Sequence, residues 1–468
     1  MKLKDVVKKD FENKLDVNFS FDTTQLDDNP KKFDFNKFFK WVTLSIVCVL
    51  IAIPLISFIY AGLQINESVK MINRNYSKDE LRLVEESSFK PLNNVDRNNS
   101  NEIFPVSEEY KYCINDFSNK IYNLLEDDNL TFSPLSLYTT IELLSLMGDS
   151  NIKTSINSLF NLNEETRYIN LKNMLKTNYM SNENGSLRMA SSLFIDNKED
   201  INMDLINDLT NYFVECFSLS FQNKNDVNKI ILWANNQMNE NNYLSYGDLM
   251  IDDLTSFILI NTLFFDNKWS FMYKDSSNGI FYNDNTIEKS VEFMNHTYFN
   301  EYFYDYENYI SFYDYYKNGF KIKYICSKNG NNLFDMIDYK NIFFDQEVNK
   351  KECKTIDLTM PIFSQNSNLD FTSYLKELNL DCLLNTSGFN NIYTSEDNNV
   401  DLTYLKQKNE ISFSKDGTKI KTITFGLAGN SQTSQPIVTL KVKLNRPFIY
   451  VIYDNNDLPL YVGNVNSL

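Results

Sequence analysis

The chain has 468 residues, 43% hydrophobic and 23% charged, with 36 Phe, 29 Tyr and 3 Trp against only 12 Gly and 9 Pro. So much aromatic surface requires a buried core and excludes a chain disordered through most of its length; the scarcity of Gly and Pro excludes a collagen-like fibre. A net charge of −17 argues against nucleic acid as a partner, because phosphate binding needs clustered cations, and a single histidine, His296, excludes zinc sites that need two.

Residues 1–40 mix lysine and aspartate without a lasting apolar period and read as a disordered tail. Residues 41–63, WVTLSIVCVLIAIPLISFIYAGL, carry no charge over 23 residues, which at 1.5 Å each spans a hydrocarbon core of about 30 Å. The expectation is an uncleaved transmembrane helix with Trp41 and Tyr60 at the two interfaces. A cleaved signal peptide is the competing reading, disfavoured by the long leader ahead of the apolar run. Lys31, Lys32, Lys37 and Lys40 lie close before the span, which places the N-terminus in the cytoplasm and the remainder in a lumen or outside the cell. Glycosylation sequons at Asn66, Asn75, Asn98, Asn129, Asn184, Asn295 and Asn385 agree with that side.

Residues 64–106 are polar and asparagine-dense, as in a stalk. From residue 107 to 468 the apolar segments alternate between helical and strand periods without a repeat, so one α+β domain is expected. Ser133-Pro134 followed by LSLYTTIELLSLMG predicts a helix with Ser133 as N-cap, Pro134 in the first turn and Gly148 just past the end; its apolar residues lie on more than one face, so it is buried on most sides. FILINTLFF, residues 257–265, predicts a central strand with Asn261 as a buried polar exception. Val438, Leu440, Val442 and Leu444 alternate with polar residues in a half-buried strand, and residues 448–453 and 460–465 flank a turn in a terminal hairpin.

Catalytic and cofactor motifs are missing. No G-x-G-x-x-G, G-x-x-x-x-G-K-[ST], G-x-S-x-G or H-E-x-x-H occurs. The cysteines, Cys48, Cys113, Cys216, Cys326, Cys353 and Cys382, form no C-x-x-C pair and read as small buried hydrophobes, with one disulfide open to an extracytoplasmic domain. His296 stands among aromatic neighbours without an identifiable partner, a structural rather than a catalytic histidine. No enzyme activity, metal or cofactor is expected.

Three segments in order resemble the serpin superfamily, the serine-protease-inhibitor fold, over residues 107–468. The most specific is V-K-L-N-R-P-F-I-Y-V-I, Val442 to Ile452; the others are F-S-P-L-S, Phe132 to Ser136, and the N-x7-W arrangement of Asn261 and Trp269. The resemblance implies three β-sheets, about nine helices and an exposed reactive loop near the C-terminus. In inhibitory members a protease attacks that loop, forms an acyl-enzyme and is carried away as the loop inserts into the main sheet. It further implies a structural cluster beneath the opening strands, here Ser133, Ser136, Asn261 and Trp269, with Gln407 where the family has histidine.

The loop runs from Gly417 to about Pro436. Taken alone, Asp416-Gly417 is an ordinary hairpin turn; with the downstream signature in place it becomes the hinge. With Thr418 facing inward, alternation sends Ile420, Thr422 and Thr424 inward as well, so insertion buries no charge. Ile420 is bulkier than the small residues inhibitory members carry there, which slows insertion, and Lys415-Asp416 reverses or loses the usual hinge ion pair. Between Lys421 and Lys441 there is no Lys or Arg, so the scissile region, Leu427, Ala428, Asn430 and Ser431, suits an elastase-like or subtilisin-like serine protease rather than a trypsin-like one. The alternative function is that of a non-inhibitory surface protein of the same fold that binds a partner or ligand.

Overall fold

The computed structural model describes residues 90–468, apart from residues 98, 100, 126–128, 274, 284–287, 301, 331, 386, 396–398 and 419–438. Residues 1–40, expected as a disordered tail, the apolar segment 41–63 and most of the expected stalk lie outside the described residues. So do Ile420, Thr422, Thr424, Leu427, Ala428, Asn430 and Ser431. Among the described residues no helix is long and apolar enough to cross a membrane.

Three sheets and nine α-helices make up the described domain. The main sheet has the order β13 (Phe363–Asp370), β14 (Lys406–Phe413), β15 (Gly417–Thr418), β5 (Phe257–Lys268), β3 (Gly185–Asp196) and β2 (Tyr179–Asn182), with β4 (Val214–Leu219) running parallel to β3 on its outer edge. The second sheet runs β1 (Thr131–Phe132), β18 (Pro459–Val465), β17 (Phe448–Tyr453), β10 (Lys321–Ser327), β9 (Tyr309–Tyr315), β8 (Tyr302–Asp305) and β11 (Lys350–Glu352). The third is β16 (Thr439–Lys443), β12 (Thr355–Pro361), β7 (Glu288–Phe299) and β6 (Asp275–Tyr282), with β16 parallel to β12.

Local sequence explains the elements that position the site. The predicted helix forms as α2 (Pro134–Met147), following α1 (Glu108–Leu124): the Ser133 side chain caps it by accepting from the Ser136 amide, proline opens it and Gly148 follows it. Twelve of its 14 residues are buried, which matches apolar residues on several faces. Leu135, Tyr138, Ile141 and Leu143 are fully buried in the principal core. Strand β5 extends three residues past the predicted run, and the terminal hairpin appears as β17 and β18 at the centre of the second sheet, every residue of both buried.

Two readings are refined. Leu92, Asn93 and Asn99, expected in the stalk, bond to the domain: the Leu92 amide donates to the Cys216 carbonyl at 2.6 Å, Asn93 exchanges hydrogen bonds with Val214 and Cys216 on the edge strand β4, and Asn99 pairs with Ser181 of β2. The five cysteines of this region are all buried thiols and none forms a disulfide. Burial pushes the thiols of Cys113, Cys216 and Cys326 up to about 12, so they act as small hydrophobes rather than nucleophiles.

Candidate functional site

Among the described residues the main sheet is incomplete at its centre. Strands β5 and β14 run parallel, and the only described strand between them is the two-residue β15, which pairs Thr418 with Phe413 on one side and with Asn267 on the other. Beyond that point the facing edges of β5 and β14 have no strand partner among the described residues. A strand edge without a partner exposes a row of amides and carbonyls that can receive another strand. A cavity of about 510 Å³ lies along this gap, lined by Ser133, Ser136, Asn261, Gln407 and Tyr461 among others.

Four of the five predicted cluster residues, Ser133, Ser136, Asn261 and Gln407, line this gap. Gln407 on β14 forms a reciprocal pair with the backbone of Ser133: its carbonyl oxygen accepts from the Ser133 amide at 2.8 Å and its amide donates to the Ser133 carbonyl at 2.9 Å. Both functions of the glutamine side chain are thereby used on the backbone of one residue. Asn261 does not contact Gln407. Its carbonyl oxygen accepts from the Ser136 hydroxyl at 2.5 Å and its amide donates to the Ser191 hydroxyl at 2.8 Å. Ser191, on β3, is a member that sequence reasoning missed, since nothing local marks one serine of β3 as opposite Asn261.

Trp269 serves the other end of the gap. Its indole N–H donates to the Ser414 carbonyl at 2.9 Å, and its backbone amide donates to the Asp416 carbonyl at 3.2 Å. Its ring stacks on Tyr316 with centroids 4.5 Å apart, and the Tyr316 hydroxyl lies 2.7 Å from the Thr418 hydroxyl. Thr418 is 1% exposed, so its side chain points into the core as the expected parity requires. Gly417 sits where no larger residue fits: a Cβ there would come within 2.2 Å of the Asn267 carbonyl oxygen. The segment 414–418 is thus bound by Trp269, Tyr316 and the backbone of β5. Burial pushes the Tyr316 phenol well above its ordinary value, which keeps it neutral as a partner for Thr418.

Lys415 pairs with Glu292 at 3.6 Å and donates to the Ser276 hydroxyl at 2.8 Å, tying the hinge to the third sheet. A second unpredicted contact bridges β14 and the segment that follows helix α6 (Lys224–Met238), α3 being Ser150–Phe160, α4 Glu164–Thr177 and α5 Met203–Thr210. The Tyr243 hydroxyl donates to the Lys408 carbonyl at 2.6 Å while the Lys408 ammonium donates to the Tyr243 carbonyl at 2.8 Å. His296, expected without a partner, has two: its ring nitrogens lie 3.1 Å from the Phe271 carbonyl oxygen and 3.2 Å from Asp314. Among the described residues no cluster of His, Cys, Asp and Glu could hold a metal ion.

Comparison with known proteins agrees with this geometry. The family model described as serpin (serine protease inhibitor) matches residues 113–468. An alpha-1-antiproteinase of Callosciurus caniceps is 24% identical over 365 residues, covering 72% of this chain and 82% of that protein. Among solved structures, the thermophilic serpin tengpin in its native state superposes with a TM-score of 0.68 at 23% identity, covering 81% of this chain and 100% of that one. Thyroxine-binding globulin in complex with thyroxine superposes with a TM-score of 0.61 at 17% identity, covering 77% of this chain and 98% of that one.

Proposed function

The chain belongs to the serpin family, and from that premise we propose that it is a membrane-anchored inhibitor of serine proteases that works by cleavage of its loop, trapping of the acyl-enzyme and strand insertion. The observation that carries the proposal is the gap between β5 and β14, entered at one end by Gly417–Thr418. Twenty residues, 419–438, connect that point to β16, enough at about 3.3 Å per residue to run the length of either neighbouring strand. Each residue added on the Thr418 parity would place its side chain in the core, where Ile420, Thr422 and Thr424 bring no charge. The reaction begins when the serine of the protease attacks a carbonyl in the region of Leu427, Ala428, Asn430 and Ser431. The peptide bond breaks, the C-terminal segment leaves with its new amine, and the acyl-enzyme remains on the N-terminal arm. Insertion of that arm completes the hydrogen-bonded ladder on both free edges and drags the protease with it.

The absence of Lys and Arg in the scissile region favours an elastase-like or subtilisin-like target. The apolar run 41–63 would place the domain on the luminal or extracellular face of a membrane. The test is incubation of the full chain with pancreatic elastase, subtilisin and trypsin: a denaturant-resistant covalent complex with one of the first two supports the proposal, and cleaved fragments alone across all three overturn it. A second reading, a non-inhibitory binding protein, is favoured by the bulk of Ile420 at an inward position, because slow insertion lets the acyl bond hydrolyse first. Thyroxine-binding globulin is a neighbour in fold whose structure holds a small ligand. A melting temperature unchanged after loop cleavage supports that reading.

A further inference from the structure

The rims of the gap can be read residue by residue. On β14 the Ser414 amide, just past the strand, donates to the Gly417 carbonyl of β15, whereas the Leu405 carbonyl, just ahead of it, accepts from the Phe371 amide beside β13. Backbone groups alternate along a strand, and β14 pairs with β13 without a break in register, so its even-numbered residues direct their amides and carbonyls into the gap. On β5 the Trp269 amide donates to the Asp416 carbonyl, while the Lys268 amide donates to the Asn184 carbonyl at the turn between β2 and β3. Here the odd-numbered residues face the gap and the even-numbered ones face β3.

A carbonyl aimed at a missing strand still needs a donor. Two tyrosine hydroxyls supply one on each rim. The Tyr243 hydroxyl donates to the Lys408 carbonyl of β14 at 2.6 Å, and the Tyr461 hydroxyl donates to the Leu263 carbonyl of β5 at 2.7 Å. Lys408 is even-numbered and Leu263 odd-numbered, so both carbonyls point into the gap. They also stand at nearly one level. Leu263 is four residues from Asn267 and Lys408 five from Phe413, the two partners of Thr418, which puts them about 13 to 17 Å beyond that pairing. Both tyrosines line the cavity along the gap.

The two rings are held independently of each other. Tyr243 belongs to the segment after α6, fixed to that helix by Asn235, which is 4% exposed, accepts from the Leu244 amide at 2.7 Å and donates to the Leu244 carbonyl at 3.2 Å. Tyr461 is fixed by its place in β18, opposite Ile452 of β17. We propose that Tyr243 and Tyr461 are edge caps, their hydroxyls standing in for strand amides on both rims, so that a strand entering past Thr418 must displace both before it pairs further. The caps keep two open edges from capturing stray strands and set the rate at which a strand is admitted. This deepens the insertion reading and rests on it, because a cap acts on uptake only where the gap admits a strand.

The test adds a fluorescein-labelled peptide, KIKTITFGLAGN, the sequence of residues 419–430, in excess to the full chain and follows uptake by fluorescence anisotropy. Tyr243→Phe and Tyr461→Phe each remove one hydroxyl and keep the ring. Each should take up the peptide about five-fold faster than wild type, the scale of one hydrogen bond, and the double variant about twenty-five-fold faster, because the two caps share no partner. Tyr298→Phe is the control: its hydroxyl, also buried, donates to the Tyr313 carbonyl at 2.8 Å in a contact between β7 and β9. It should lower the melting temperature and leave uptake within two-fold of wild type. A rate within two-fold of wild type in either cap variant overturns the proposal while strand insertion stands. Equal acceleration in Tyr298→Phe also overturns it, since loosening elsewhere would then suffice. No uptake by wild type or any variant refutes strand insertion itself, and the caps with it.

Discussion

Replacing Gln407 with leucine isolates the contact that holds β14 to the start of α2. The leucine keeps most of the apolar stem and removes both hydrogen bonds to the backbone of Ser133, which are 2.8 and 2.9 Å long. Each bond contributes about 1 kcal/mol net; the Ser133 carbonyl keeps its bond from the Leu137 amide at 3.1 Å, whereas the Ser133 amide is left without that acceptor and adds desolvation, so the total loss is about 2 to 4 kcal/mol. Ser133 is 1% exposed, which limits how far water can replace the glutamine. For a domain of about 350 residues, with an unfolding entropy of roughly 2.1 cal/mol/K per residue, the melting temperature should fall by about 3 to 5 °C. The assay is differential scanning fluorimetry of the full chain against a control, Ser412→Ala, which removes an exposed hydroxyl pair on the same strand. A shift below about 1 °C for Gln407→Leu, or an equal shift in the control, would refute the reasoning, because Ser133 would then be satisfied without glutamine.

Gly417→Val should displace the hinge from β5, since its Cβ would stand 2.2 Å from the Asn267 carbonyl oxygen; hydrogen exchange at 417–418 then rises to that of an unpaired segment, and protection equal to wild type would contradict the close approach. Asp454→Asn tests a buried carboxyl. Its Oδ1 accepts from the Asn456 and Leu458 amides and its Oδ2 from Asn178, while burial pushes it from 3.8 up to about 6. The folded state therefore binds the proton more tightly than the unfolded chain. The carboxyl's contribution is most favourable below about pH 4, declines as pH rises through the window from about 4 to 6, and is level above it. Relative to Asp454→Asn, the wild type should lose about 1 kcal/mol of unfolding free energy between pH 5 and pH 7.5, read from urea titrations. The variant tolerates the swap because the carbonyl oxygen of Asn178 has no partner and can turn to accept from the new amide; a pH-independent difference would show that this carboxyl does not titrate in the window.

The parts of the fold legible in the sequence are those whose signals are local. Ser133, Pro134 and Gly148 mark the ends of α2 because capping chemistry acts within one turn, and the uniform apolar run of residues 257–265 marks a strand that lies inside the main sheet, buried over residues 262–265. Spacing from the signature at Val442 to Ile452 singled out Gly417 and Thr418, and the structure places this pair between β14 and β5 with the Thr418 side chain buried. Residue types alone also set the class: an acidic, aromatic-rich chain with one histidine and no nucleophile motif has the means to build a large core and lacks those of the usual hydrolases.

Partners across the sheets were not legible. Gln407 meets Ser133 from 274 positions away, Asn261 meets Ser191 rather than Gln407, and His296 meets Asp314 only because β7 and β9 bring two different sheets against the same aromatic layer. Hydrogen-bond partners at such separations depend on strand order and register, and a shift of one residue in either would turn every side chain to the opposite face. What the amino acids determined by themselves was which stretches could become strands and helices and which family they form; the tertiary structure decided that, among the described residues, β5 and β14 are bridged only by the two residues of β15, because such a gap is a relation between two strands about 140 residues apart and belongs to neither of them.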